Sequence, residues 1–190
     1  TGFDVFSYAP DTLAFLLYSL RLSKAKDLVE IYEPFLKQQV TVFYDTVVSK
    51  ENGLVRFDRT FSSIKDNAKR QSSCYDNVCV AVVAREAKKL QLIAKDHPLL
   101  QHNYKKIIKE TFWTGGYFRH TIDTYHVAGD ANVFPFWFGL FTNKGMMKRA
   151  IAAIRREGLD APFPLKYTNY TPKNFMFPLS LFAKNYEGTS

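Results

Sequence analysis

Two stretches bring together side chains that can exchange protons and hold a flat, hydroxyl-rich ligand. The first, FSSIKDNAKRQSSCYDNV from Phe61 to Val78, carries Asp66 among Lys65, Arg70 and Tyr75. The second, GGYFRHTIDTYHVAGDANVFPFWFGL from Gly115 to Leu140, carries Asp130 and Asn132 between Tyr117 and Trp137. A carboxyl can donate or accept a proton during bond cleavage, and it serves as an acid only where its surroundings keep it protonated. Burial of Asp66 would have to outweigh Lys65 and Lys69 for that role. Aromatic faces cover the apolar side of a ring while neighbouring amides and carboxylates bind its edge. The plain alternatives are that Asp66 pairs with Lys69 or Arg70 on a solvated loop, that Asp130 caps a helix, and that each aromatic is core. His120 and His126 flank the second stretch and could move protons. No nucleophile-elbow pattern supports a Ser, His and Asp triad.

The elements that position these residues read as paired helices. Leu13, Leu16, Leu17 and Leu20 fill one face of a helix beginning at Asp11. A second run through Leu28, Ile31, Phe35, Phe43 and Val47 is interrupted by Pro34, which either kinks a helix or starts a new one. Short connections between amphipathic helices imply antiparallel hairpins. A third helix is expected over Asp76 to Ala94, and Leu99 to Phe112 supplies its partner. Tyr117 to Tyr125 reads as a short extended piece, Ala128 to Asn132 as a polar turn, and Val133 to Phe141 as a helix opening with Phe134 and Pro135. Lys144 to Glu157 repeats Met146, Met147, Ala150, Ile151 and Ile154 at helical spacing and stops at Gly158. The tail from Leu159 to Ser190 turns more than it repeats.

With 190 residues, 46% of them hydrophobic, the chain can bury a core as one helical domain spanning 1–190. The net charge of +8 is spread over Lys88 and Lys89, Lys105 and Lys106, and Arg155 and Arg156, with no nucleic-acid reader motif beside it. Nucleic acid is therefore not the favoured partner, and a polyanion-binding helical protein is the third reading. Cys74 and Cys79 are five residues apart, which fits neither a CxxC pair nor a zinc half-site, so no metal is expected and the thiols should be reduced. No apolar run reaches membrane-spanning length and no signal region follows Thr1, which points to a cytoplasmic protein with no membrane partner. The chain starts without Met, so the true N-terminus is expected to lie further upstream.

GDANVFPFWFGL preceded by GYFRHTID resembles a loop and helix of the six-hairpin, or (α/α)6 toroid, glycosidases, close to the amylo-1,6-glucosidase (glycogen-debranching) type. The Ser-x-x-x-Asp run ending at Asp66 is similar to the family's acid-bearing loop, although Ile64 and Lys65 stand where the family commonly has Trp and another hydrophobic residue. NYEGTS at Asn185 to Ser190 resembles the start of a later loop. The resemblance implies an all-α fold of antiparallel hairpins forming part of a toroid. It also implies acid/base hydrolysis, by inversion, of α-linked glucosides or related oligosaccharides. Asp66 would be the general acid and Lys65, Arg70, Tyr75, Tyr117, Asp130, Asn132 and Trp137 would line the substrate site. The base, usually a glutamate in a later hairpin, is expected to lie outside the chain, since Glu187 falls too early. No cofactor is implied. A non-catalytic sugar-binding module is the alternative, and self-association is expected if half a toroid stands alone.

Overall fold

The protein is described by a computed structural model covering residues 8–59, 61, 72–161, 165, 166 and 168. Helices dominate these residues. They are α1 (Pro10–Leu22), α2 (Lys26–Ile31), α3 (Glu33–Val47), α4 (Cys74–Lys89), α5 (Tyr104–Phe112), α6 (Gly129–Trp137) and α7 (Lys144–Arg156). A single 3-10 turn at Pro98–Leu100 precedes α5, and β1 (Arg119–Thr121) pairs antiparallel with β2 (Thr124–Val127). The expected all-α character thus holds with one small hairpin added.

Local chemistry explains where most helices begin. Ser73 caps α4 by accepting from the Asp76 N–H at 3.0 Å, while Asn103 and Asn143 do the same for Lys106 and Met146 at the starts of α5 and α7. Pro10 and Pro34 sit in the first turns of α1 and α3, where no N–H is needed. Pro34 therefore starts a helix rather than kinking one. The end of α7 is closed by Gly158 at φ +64°, with the Leu159 N–H reaching back to the Ile154 carbonyl at 3.1 Å.

Side-chain contacts set the helix directions. Tyr75 at the start of α4 meets Asp11 at the start of α1, and Glu86 near the end of α4 meets Arg21 near the end of α1. Cys74 lies 4.0 Å from the Ala131 carbonyl in the first turn of α6, while Arg85 donates to the Phe138 carbonyl just past its last turn at 2.7 Å. Consequently α1, α4 and α6 run parallel, with their N-termini at one end. The intervening helices α3 and α5 return in the opposite sense: Val48 just past α3 bridges to Val55, whose N–H donates to Asn77 in the first turn of α4, and Trp113 just past α5 bridges to Phe118, next to the hairpin whose Thr121 bridges to Ser73.

α4 occupies the centre. It packs against α1, α3, α5 and α6, and its buried residues include the unbroken run Cys74 to Ala84, so it shows no single apolar stripe. Removing side chains such as Phe43 or Phe112, both fully buried, would cost about 3 to 5 kcal/mol each. Beneath the C-terminal end of this layer, Glu86 is fully buried between Arg21 and Arg85, and Arg85 accordingly ties α4 to α6 while Arg21 ties it to α1.

Three boundaries differ from the sequence reading. α4 stops at Lys89 because Gln91 turns to φ +58°, which releases the chain five residues before Ala94. The expected helix from Leu99 divides into the 3-10 turn and α5, because Asn103 supplies a fresh cap. α6 opens at Gly129, so Pro135 lies inside it and Asp130 stands in its first turn. The carbonyl that Pro135 leaves without its usual partner is that of Ala131, and the Cys74 thiol faces it at 4.0 Å.

Candidate functional site

The shared N-terminal end of α1, α4 and α6 gathers three acidic side chains, two of them buried. Asp11 is in the first turn of α1, Asp76 in that of α4 and Asp130 in that of α6. Unpaired N–H groups and the helix dipole favour carboxylates at such positions. Asp76 is 1% exposed and Asp130 4%. Asp130 Oδ1 accepts from the Ala131 N–H at 2.6 Å, and Asp76 Oδ2 accepts from the Ser73 hydroxyl at 2.6 Å. Among the described residues, Asp76 Oδ1 is buried without a hydrogen-bond partner. A buried carboxylate oxygen left in this state carries a desolvation penalty that a ligand hydroxyl would relieve.

The carboxylates also bear on their neighbours at this end. Burial pushes the Cys74 thiol well above its ordinary range, and the charges of Asp130 and Asp76 push it further. The Tyr75 phenol is raised by burial and then, more weakly, by Cys79, Asp11, Asp130 and Asp76. Neither group is a nucleophile at neutral pH.

The β-hairpin forms one side of this end. Thr121 bridges to Ser73 at the entry to α4, and its hydroxyl contacts Asp123 and lies 2.6 Å from that of Thr124. His120 Nδ1 and His126 Nε2 are 3.2 Å apart, so one ring nitrogen must carry the proton that the other accepts. Burial lowers the His126 pKa, against the opposing pull of Asp123.

The expected site residues fare differently. Asp66, Lys65 and Arg70 lie outside the described residues. Asp130 stands at the site, buried in the first turn of α6. Asn132 is 1% exposed and its amide is occupied: Oδ1 accepts from the Phe118 N–H at 2.8 Å, and Nδ2 donates to the carbonyls of Phe118 and Ala128 at 2.8 and 3.0 Å. It holds the hairpin to α6 instead of facing a ligand. Tyr75 also differs from the expected stacking wall, because it is 1% exposed with its ring edge-on to Phe134 and its hydroxyl donating to Asp11 Oδ2 at 3.3 Å. Tyr117 packs with the smaller cluster of Val127, Ala153, Ile154 and Leu159, and its hydroxyl donates to the Tyr125 carbonyl.

Trp137 keeps half its surface exposed and packs against Phe15, Tyr18, Phe134 and Phe138. It lies seven residues beyond Asp130, two turns and about 10 Å along α6. This aromatic group is therefore a platform beside the helices rather than a wall over the carboxylates. Asp11 and Asp76 were read only as helix-start residues. The Ser73-x-x-Asp76 spacing signals a cap, and nothing local signals that three helix starts share one end.

Among the described residues, no group of three or more His, Cys, Asp or Glu is placed to hold a metal ion, and no helix is long and apolar enough to cross a membrane. Comparison with protein-family models, with curated proteins and with solved structures gave no match.

Proposed function

We propose that the chain is an arc of an (α/α)6 toroid glycoside hydrolase that cleaves α-linked glucosides or related oligosaccharides with inversion. The observation that carries this reading is the parallel set α1, α4 and α6, each followed by a returning helix, with Asp11, Asp76 and Asp130 delivered to one end. The stretch bearing Asp66 leads in sequence directly into Ser73 at that same end. Inversion needs a carboxylic acid to protonate the leaving oxygen and a carboxylate roughly 6.5 to 9.5 Å away to activate water on the other face. In this reading Asp66 is the acid, Asp130 and Asp76 bind sugar hydroxyls, and Lys65 and Arg70 line the approach. The base comes from a later hairpin.

A sugar-binding module without turnover is the second reading. The half-exposed Trp137 platform with Phe15 and Tyr18 favours it, since such a surface stacks a pyranose without any acid/base pair.

Hydrolysis of a panel of α- and β-linked oligosaccharides by the wild type and Asp66→Asn, with calorimetric binding in parallel, separates the two. Turnover that is lost in Asp66→Asn while binding persists supports the hydrolase with Asp66 as acid. Binding without turnover supports the module. Absence of both for every sugar would overturn the sugar reading.

A further inference from the structure

The helices α1, α4, α6 and α7 end with the same closure, but the residue that makes the turn differs. Just past each, one residue takes a left-handed backbone: Lys24 at φ +55°, Gln91 at +58°, Gly139 at +69° and Gly158 at +64°. The following N–H then reaches back into the last turn, from Ala25 to Leu20, Leu92 to Ala87, Leu140 to Pro135 and Leu159 to Ile154, at 2.9 to 3.3 Å. A Cβ on Gly139 or Gly158 would meet nothing within 4 Å, so the backbone conformation, and not lack of space, favours glycine there. Lys24 and Gln91 hold that conformation with a side chain, at a steric cost.

Ser72 is also left-handed, at φ +45°, and its hydroxyl accepts from the Asn77 amide at 3.0 Å. The side chains of Lys24 and Gln91 make no hydrogen bond or ion pair among the described residues. Nothing inside the protein therefore accounts for a side chain at either position. Both, however, line one cleft of about 500 Å³, between the C-terminal ends of α1 and α4 and bordered by α2. A volume of that size suits a small molecule. It lies at the opposite end of these helices from Asp76 and Asp130.

The lining of the cleft specifies a ligand. Leu20, Val29 and Leu90, all half-buried, give it an apolar part. Among its charges, Arg21 is taken up by Glu86 and Glu33 by Lys37. Lys24, Lys26 and Lys89 are left against Glu30, none of them in an ion pair among the described residues. The excess is two positive charges beside an apolar surface. The helix dipoles favour cations at these ends, but they ask nothing of the neutral Gln91, whose amide can donate to an oxyanion. A phosphate monoester carries a charge of about −2 at neutral pH, which matches the excess.

We propose that this cleft binds a phosphate monoester carried on an apolar body. Lys24, Lys26, Lys89 and the Gln91 amide hold the phosphate, and Leu20, Val29 and Leu90 cover the body. Glu30 repels a second acidic group, so one dianionic head is preferred to a polyanion.

Calorimetry with phenyl phosphate, beside urea unfolding of the same samples, tests the site. The wild type binds phenyl phosphate, and it binds inorganic phosphate and benzyl alcohol at least tenfold more weakly. Lys24→Gly combined with Gln91→Gly weakens phenyl phosphate binding tenfold or more, while its urea midpoint equals or exceeds that of the wild type because the strain is gone. Lys106→Gln removes a charge elsewhere and leaves the affinity unchanged. Flotation with phosphatidylcholine vesicles, with and without phosphatidate, separates the two sources of such a head group. Flotation that needs phosphatidate and is lost in the glycine variant assigns a lipid, and its absence beside phenyl phosphate binding assigns a dissolved ligand. No binding of phenyl phosphate, inorganic phosphate bound as tightly, affinity unchanged in the glycine variant, or a lowered urea midpoint in it would each overturn the proposal.

Discussion

The side-chain amide of Asn132 pairs with the backbone of Phe118 as a neighbouring strand would, accepting from its N–H and donating to its carbonyl, both at 2.8 Å. Phe118 is fully buried, so water is not at hand to replace those bonds. This one residue fixes where the β-hairpin meets α6, and hence where Thr121 and the His120–His126 pair stand relative to Asp130.

Asn132→Ala removes both bonds and leaves buried backbone groups to pay their desolvation, about 1 to 3 kcal/mol for each group left unsatisfied. Asn132→Asp keeps the acceptor but sets a carboxylate oxygen against the carbonyls of Phe118 and Ala128 in a buried site, so it should cost at least as much as Asn132→Ala. Urea midpoints at unchanged slope measure this. An alanine variant as stable as wild type would show that the pairing is incidental.

Glu86 lies fully buried with Arg21 on one oxygen and Arg85 on the other at 2.7 Å. Glu86→Gln strands two guanidinium groups at the junction of α1, α4 and α6. The expected loss is about 3 to 5 kcal/mol, the usual cost of breaking a buried pair from one side. For a chain of this length the melting temperature should drop by roughly ten degrees, as differential scanning calorimetry would show.

Cys74 and Cys79 are buried, and burial is the main cause that raises both thiols well above their ordinary range. Neither should react with a thiol-specific disulfide reagent in the native protein at neutral pH, while both react in denaturant. Rapid reaction of one thiol in the native state would show that the α4 N-terminus opens.

The helices themselves were readable. Leu13 and Leu17 of α1, and Met146, Ala150 and Ile154 of α7, repeat on one face, and that spacing alone locates both elements. The start of α6 was not readable, because Gly129 and Asp130 are turn-favouring residues and Pro135 resembles a helix opening. Tertiary contacts, with Asn132 on the hairpin and Cys74 under the Ala131 carbonyl, override those local preferences. The site was legible only in Asp130. Asp11 and Asp76 carry ordinary capping signals, and their meeting depends on α1 and α4 running parallel in register, which is settled by Tyr75 with Asp11 and Arg21 with Glu86 far apart in sequence. Tyr75, which the resemblance puts in the lining of the substrate site, is instead enclosed, because helices surround the N-terminal half of α4.

His126 has a pKa below its ordinary value because folding partly buries it, with Asp123 opposing. The unfolded chain therefore binds this proton more readily than the folded one. Stability from this residue is fully present above the unfolded pKa, near 6.5, and is lost as pH falls toward the lower folded value. The urea midpoint should fall as pH is lowered from about 7 to 5, and His126→Gln should flatten that part of the profile. An NMR titration of the His126 ring that gives an elevated pKa would reverse the sign.

Asp76 separates a structural role from a ligand-facing one within a single side chain. Its Oδ2 belongs to the Ser73 cap, and its Oδ1 is buried without a hydrogen-bond partner among the described residues. Asp76→Asn can keep the cap contact through its amide oxygen while losing the charge that the helix N-terminus favours, a change of about 0.3 to 1 kcal/mol. If Oδ1 receives a sugar hydroxyl, oligosaccharide binding should weaken tenfold or more in a variant of nearly native stability, because the replacement NH2 cannot accept. Asp76→Ala should lose both binding and cap, with about 1 kcal/mol of further destabilisation. Calorimetry on the two variants beside their melting curves reads the difference, and unchanged sugar affinity in Asp76→Asn would assign Asp76 to the cap alone.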